Sequence, residues 1–277
     1  MPKPLTPQEI ERWERVLAAA AKLQSVIPEA FLVGGTAVGI YSPYRTSRDA
    51  DHLMPDLLQR CPQVLTRLEA LAGWSTEVVR GQHTILGRMD GIETTLMDDG
   101  RVRQHVPLEV HTYRLQGLTL RLPTLFEILR IKSYLLLFRN MARDYADCHA
   151  LSGELEDPEL FQALIPLEQR YRMRPHTAWS HDGTQKPLSF LYEMGQRLSH
   201  PAPRDLKKTL NHWDQRFRLR HPEDLSNWTA LVAQCRELGR RVLEIHQVWS
   251  TPAAEPELAV RYGVSTTDDC ESDGGLD

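Results

Sequence analysis

The segment Phe31–Leu53, FLVGGTAVGIYSPYRTSRDADHL, constrains this chain more than any other part of it. A short apolar run ends in Gly34-Gly35, and further on Asp49 and Asp51 stand one residue apart in a run with strand character. Residues i and i+2 of a strand point to the same face, so the two carboxylates project together at a spacing of ~7 Å. Carboxylates placed this way repel, and a hard divalent ion such as Mg²⁺ relieves the repulsion through oxygen ligands. The glycine turn lets backbone approach a ligand closely, and its N–H groups can nest a phosphate. A phosphate cradle and a metal-binding pair on one ledge are the minimal apparatus for phosphoryl or nucleotidyl transfer.

The elements around that ledge follow from local chemistry. Thr6-Pro7-Gln8-Glu9 reads as a capped helix start, and helical periodicity continues to Pro28. AFLVGG reads as a buried strand, TAVGIY as a short helix and DADHLMP as a second strand. DLLQRCPQVLTRLEALAGW reads as a helix despite Pro62. TEVVR, HTILGRM and GIETTLMD are β-rich, with Asp90-Gly91 as a hairpin turn between the last two. VPLEVHTY and LTLRLP complete this half. From Thr124 the pattern turns helical, with loops expected around 175–187 and 199–204. The expectation is an α+β fold: a mixed β-sheet core over 1–122, which the resemblance given below makes a nucleotidyltransferase core, an α-helical domain over 123–260 and a disordered acidic tail over 261–277.

Bulk properties narrow the class. No apolar run approaches the ~20 residues of a membrane span, and the N-terminus lacks the apolar core of a signal peptide. Four scattered cysteines fit a reducing compartment, so a cytoplasmic protein is expected. The formal charge of −4 moves to +1 once the five acids of residues 264–277 are set aside. Basic stretches lie at 168–176, 204–221 and 236–241, interleaved with Tyr171, Trp213 and Phe217, which fits a nucleic-acid backbone partner or simply solvated helix faces. The i, i+4 spacing of Trp213 and Phe217 favours a core stripe. The chain has no GxxxxGK[ST], HExxH or GxSxG, which disfavours a P-loop ATPase, a zinc protease and an α/β hydrolase.

The segment VGGTAVGIYSPYRTSRDADHL resembles the opening motif of the DNA polymerase β-like nucleotidyltransferase superfamily, and more narrowly the GG-x-A…R-T/S-x-D-x-D signature of the AbiEii-like nucleotidyltransferase toxins. Arg45, Thr46 and Ser47 stand at the matching places before Asp49 and Asp51. TLFEILRIKSYLLLFRNMARDYADCHAL is similar to that family's second motif, with Lys132, Arg139, Arg143, Asp144 and Asp147 at family positions. The resemblance covers about the first 150 residues. It implies an NTP-dependent nucleotidyltransferase using Mg²⁺ held by Asp49 and Asp51. Lys132 and Asp144 would be catalytic, and Gly34, Gly35, Thr36, Arg45, Ser47, Lys132 and Arg139 would contact the nucleotide. The implied acceptor is RNA, notably a tRNA 3′ end. The implied setting is a toxin–antitoxin or phage-defence pair, with an antitoxin as partner. Read as one helix, the second motif places Lys132 and Arg139 on one face with Arg143 a turn further.

The pattern departs from the superfamily at the third carboxylate. Polymerase β-like enzymes carry an acid on a neighbouring strand, and the corresponding residue here is Thr95, with Glu93 and Glu109 as possible substitutes. Ser47 could cap the turn before the strand or sit beside the metal. His52 should point to the opposite, packed face. Two other readings share the same residues: a small-molecule nucleotidyltransferase, and a non-catalytic module that keeps the fold.

Overall fold

In the computed structural model, residues 6–42, 46–98, 108–115, 117–170, 189–211, 227–251 and 256–263 are described. Trp213, Phe217, Tyr171, Arg45 and residues 264–277 lie outside them. Helix α1 (Pro7–Val26) starts at the expected capping box, in which Thr6 and Glu9 exchange side-chain and backbone hydrogen bonds. It is followed by β1 (Phe31–Leu32), α2 (Gly34–Tyr41), β2 (Asp49–Met54) and α3 (Leu57–Glu69). Strands β3 (Trp74–Arg80), β4 (Thr84–Met89) and β5 (Ile92–Asp98) come next, then a hairpin of β6 (Val110–Leu115) and β7 (Leu118–Pro123). Asp90 and Gly91 both take positive φ (49° and 81°), as the two-residue turn between β4 and β5 requires. The remainder is helical: α4 (Leu125–Phe138), α5 (Ala142–Ser152), α6 (Asp157–Arg170), α7 (Phe190–Ser199), α8 (Leu206–Leu210), α9 (Trp228–Ser250) and α10 (Pro256–Arg261).

The main sheet has the order β1-β2-β5-β4-β3, with β2 and β5 parallel and the other neighbours antiparallel. The protein is thus an α+β fold with a mixed sheet followed by a helical region. Alternation along the strands sends Met54, Ile85 and Leu96 to one face, where they pack against Leu23 and Ile27 of α1 and Leu57, Val64 and Leu68 of α3. The larger core is continuous from Val16 of α1 through Leu32, Ala37 and Leu122 to Leu129, Tyr145, Leu191, Val242 and Tyr262. Sheet and helices therefore share apolar packing across the change in character at Thr124, whose hydroxyl caps α4. Tyr262, within the expected tail, is buried in that core.

Helices α7 and α9 cross at two glycines. A Cβ on Gly239 would lie 2.8 Å from the Ser199 amide nitrogen, and one on Gly195 would lie 2.6 Å from Leu243. Only glycine permits backbones this close.

The continuous helix read across the second motif is corrected. The chain leaves α4 at Arg139, turns through Asn140 in the left-handed region (φ 52°), and restarts as α5. Asparagine tolerates that conformation, and distant partners hold it there. Its carboxamide donates to Ala202 O at 2.9 Å and accepts from the Tyr145 hydroxyl at 2.7 Å. Arg143 therefore does not continue the face shared by Lys132 and Arg139.

Candidate active site

Three contacts fix the ledge. The Val33 amide donates to Asp51 O at 2.8 Å, and the Thr36 hydroxyl donates to Asp49 O at 2.6 Å, so both ends of the glycine turn are tied to β2. Gly34 adopts φ +68°, and a Cβ there would come within 2.6 Å of Asp51 Oδ2 and 2.9 Å of Asp51 Cβ. The Asp51 carboxylate thus lies directly over the turn. Thr36 is buried with its hydroxyl engaged on the strand, so its side chain secures α2. The Ser47 hydroxyl donates to Asp49 Oδ1 at 2.5 Å.

Register places the neighbouring strand. Asp49 stands beside Glu93 and Asp51 beside Thr95 in the parallel β2–β5 pair, so all four side chains share one sheet face. Thr95, where the sequence reading expected a third acid, stands beside Asp51, and its side chain hydrogen-bonds to that carboxylate. Glu93 is exposed at the outer end of that row. Glu109 reaches Arg130 at 2.7 Å, and the buried Glu127 holds the same guanidinium at 3.2 Å. Among the described residues, no group of three His, Cys, Asp or Glu forms a complete metal cage. His52 lies on the opposite face, fully buried, and burial pushes its imidazole down to about 4.

Burial, then the neighbouring charge of Asp49, pushes the Asp51 carboxyl up to about 6, while Lys132, Arg143 and the Thr95 hydroxyl pull it down. The donor set fits a hard divalent cation. Two oxygen-bearing groups are side by side, one is held as an unfavourable buried anion, and the missing Cβ of Gly34 lets that carboxylate lie against the backbone of the turn.

The helical side contributes two ion pairs. Lys132 Nζ lies 2.8 Å from Asp147 Oδ2, with both side chains almost wholly buried. Arg139 grips the fully buried Asp144 with both arms of its guanidinium, and Asp144 Oδ2 also accepts the Met141 amide at 3.1 Å. Asp144 therefore ties the start of α5 to the end of α4. Lys132 and Arg143 are the cations brought to Asp51, whereas Arg139 is turned to Asp144. The sequence reading gave Arg143 no role of its own. The available signal is its spacing: Arg143 and Asp147 are i, i+4 on α5, so they share the face that meets Lys132.

No protein-family model matches the chain. Among curated proteins it is 26% identical over 155 residues to a Mycobacterium leprae protein described as the transport protein MmpL11, and that match spans 55% of this chain but only 14% of the relative. Among solved structures, JHP933 from Helicobacter pylori aligns over 92% of this chain and 98% of its own, with TM-score 0.48 and 15% identity. MenT4, a nucleotidyltransferase toxin from Mycobacterium tuberculosis, aligns over 92% and 94%, with TM-score 0.47 and 13% identity. ANT(2″)-Ia, in complex with adenylyl-2″-tobramycin, aligns over 60% and 99%, with TM-score 0.39 and 14% identity. These likenesses do not fix the chemistry of the ledge.

Proposed function

We propose that the chain is a divalent-metal-dependent nucleotidyltransferase that moves a nucleoside monophosphate from an NTP to the 3′ end of an RNA acceptor. The observation that carries this reading is the contact between Gly34 and the Asp51 carboxylate, with Asp49 beside it and two cations facing it. Asp49 and Asp51 would hold the ion. A bound Mg²⁺ supplies charge neutralisation on the triphosphate and Lewis acidity at the reacting phosphate.

The protein's own groups do the rest. Backbone N–H groups at the start of α2, at Gly35 and Thr36, cradle phosphate oxygens. Asp49, whose Oδ1 accepts a hydrogen bond from the Ser47 hydroxyl, would take the proton of the attacking acceptor hydroxyl. Arg143, near Asp51, and Lys132, held by Asp147, neutralise the charge that develops on the departing pyrophosphate. Arg139 and Asp144 act one step back, holding α4 and α5 in register so that Lys132 and Arg143 converge. The motif resemblance supports a toxin with a cognate antitoxin in a bacterial toxin–antitoxin or defence pair, acting on tRNA in the cytoplasm.

The test is binding. Each NTP with Mg²⁺ should raise the melting temperature of the wild-type protein and leave an Asp49→Ala/Asp51→Ala variant unchanged. A wild-type protein indifferent to all four nucleotides with Mg²⁺ or Mn²⁺ leaves the reading without support and favours a non-catalytic module.

A further inference from the structure

A second polar cleft lies behind α5. It encloses about 330 Å³ and is lined by Asn140, Glu193, Gln196, Arg197, His200 and Ala202. Glu193, Gln196 or Arg197, and His200 recur at helical spacing, so α7 turns one polar face into it. The lining offers a guanidinium, an imidazole and amides against a single carboxylate, with no large apolar side chain. That composition suits a hydrogen-bonding, anionic ligand.

The rim is cationic. The Arg204 amide donates to Asn140 O at 2.9 Å, which fixes residues 202–205 at the mouth, and α8 carries the exposed Lys207 and Lys208 onward. The one acid of that segment, Asp205, is occupied, since it accepts the Ala142 amide and the Thr209 hydroxyl at 2.8 Å each. Among the described residues, Arg204, Lys207 and Lys208 have no acidic partner. Three exposed cations within five residues beside the cleft fit a chain of phosphates better than one small anion.

The cleft has a defined relation to the ledge. Asp147, whose carboxylate meets Lys132, shares one face of α5 with Arg143, which interacts with Asp51, whereas Tyr145 turns its hydroxyl toward Asn140 and Ala202. Two residues apart on a helix is about 200° around it, so ledge and cleft flank α5 on opposite sides, a helix diameter of ~10 Å apart.

Resting on the transferase reading, we infer that this cleft holds a nucleotide of the RNA acceptor strand upstream of the 3′ end presented to Asp49 and Asp51. Arg197 and the Arg204–Lys208 rim grip its phosphates, and Gln196 and Glu193 meet the base edge.

Fluorescence anisotropy with single-stranded RNA oligonucleotides of increasing length tests this on the full chain. Affinity should rise in a step, rather than evenly, once the oligonucleotide is long enough to reach from the ledge to the cleft, at least the ~10 Å of a helix diameter. Arg197→Gln should remove that rise and weaken longer RNA about ten-fold or more, as loss of one charge-assisted contact does. Lys207→Ala/Lys208→Ala, at two exposed positions that carry no fold contact, should lower the salt slope of binding by about two. The NTP–Mg²⁺ melting shift should persist in both variants. RNA affinity and salt slope equal to wild type in both variants overturn the inference. A wild-type protein that binds NTP but no RNA overturns it too, while leaving nucleotidyl transfer to another acceptor standing. RNA binding that depends on the cleft without any NTP binding removes the transferase reading alone.

Discussion

Gly34→Ala is the substitution that most sharply separates a built ledge from an ordinary turn. At φ +68° an alanine takes the left-handed conformation, at a cost of about 1–2 kcal/mol. Its Cβ would also sit 2.6 Å from Asp51 Oδ2 and 2.9 Å from Asp51 Cβ. The carboxylate can rotate away, but the Asp51 Cβ cannot, because Asp51 O is bonded to the Val33 amide at 2.8 Å. α2 and β2 must therefore separate, and overpacking of that kind costs about 1–3 kcal/mol. Together about 3 kcal/mol is expected, or a fall in melting temperature of about 6–12 °C for a chain of this size. Urea and thermal denaturation measure it, and the melting shift with NTP and Mg²⁺ should vanish at the same time because Asp51 is displaced. In an Asp51→Ala background the Oδ2 contact is gone, so Gly34→Ala should cost less there, by about 1 kcal/mol of coupling. A Gly34→Ala protein as stable as wild type, with its nucleotide response intact, would refute the close-approach reasoning.

Asp51→Asn should stabilise the ligand-free protein at neutral pH while abolishing the Mg²⁺–NTP response. Burial raises the Asp51 carboxyl from 3.8 to about 6, so the stability of its protonated form is complete below about 3.8 and is lost as pH rises through about 6, up to about 3 kcal/mol in all. Urea melts from pH 5 to pH 8 should show the gap between variant and wild type widening with pH; a variant less stable at pH 8 contradicts this. Asp147→Ala leaves Lys132 charged and buried, so a loss of about 3–5 kcal/mol is expected in denaturant melts. A loss under 1 kcal/mol there would mean that Lys132 finds another partner. Gly239→Ala should cost about 1–3 kcal/mol by forcing α9 from the Ser199 backbone, and a neutral result would show that the α7–α9 crossing is not tightly packed.

The ledge itself is legible in sequence because its determinants are local: period two puts Asp49 and Asp51 on one face, and a glycine pair marks the close approach. The capping residue Thr6 likewise announces its helix. What escapes the sequence is set by long-range pairing. The sequence names Thr95 for the third-acid position, but only the β2–β5 register shows that the candidate substitute Glu93 stands beside Asp49 rather than Asp51. The break at Asn140 is hidden inside a run with helical periodicity, because the contacts that hold it come from Ala202 and Arg204, sixty residues away. That break decides which arginine faces the ledge. Arg139 and Arg143 look equivalent on one long helix, and only the restart of α5 sends the first to Asp144 and the second toward Asp51.

The most direct test of the central claim is transfer itself. Purified protein is incubated with Mg²⁺, total bacterial tRNA and each α-³²P-labelled NTP in turn, beside the Asp49→Ala/Asp51→Ala variant. The account predicts label on tRNA with at least one nucleotide, dependent on Mg²⁺ and absent in the variant. Equal labelling by the variant, or no label on tRNA from a protein that binds NTP, would contradict it.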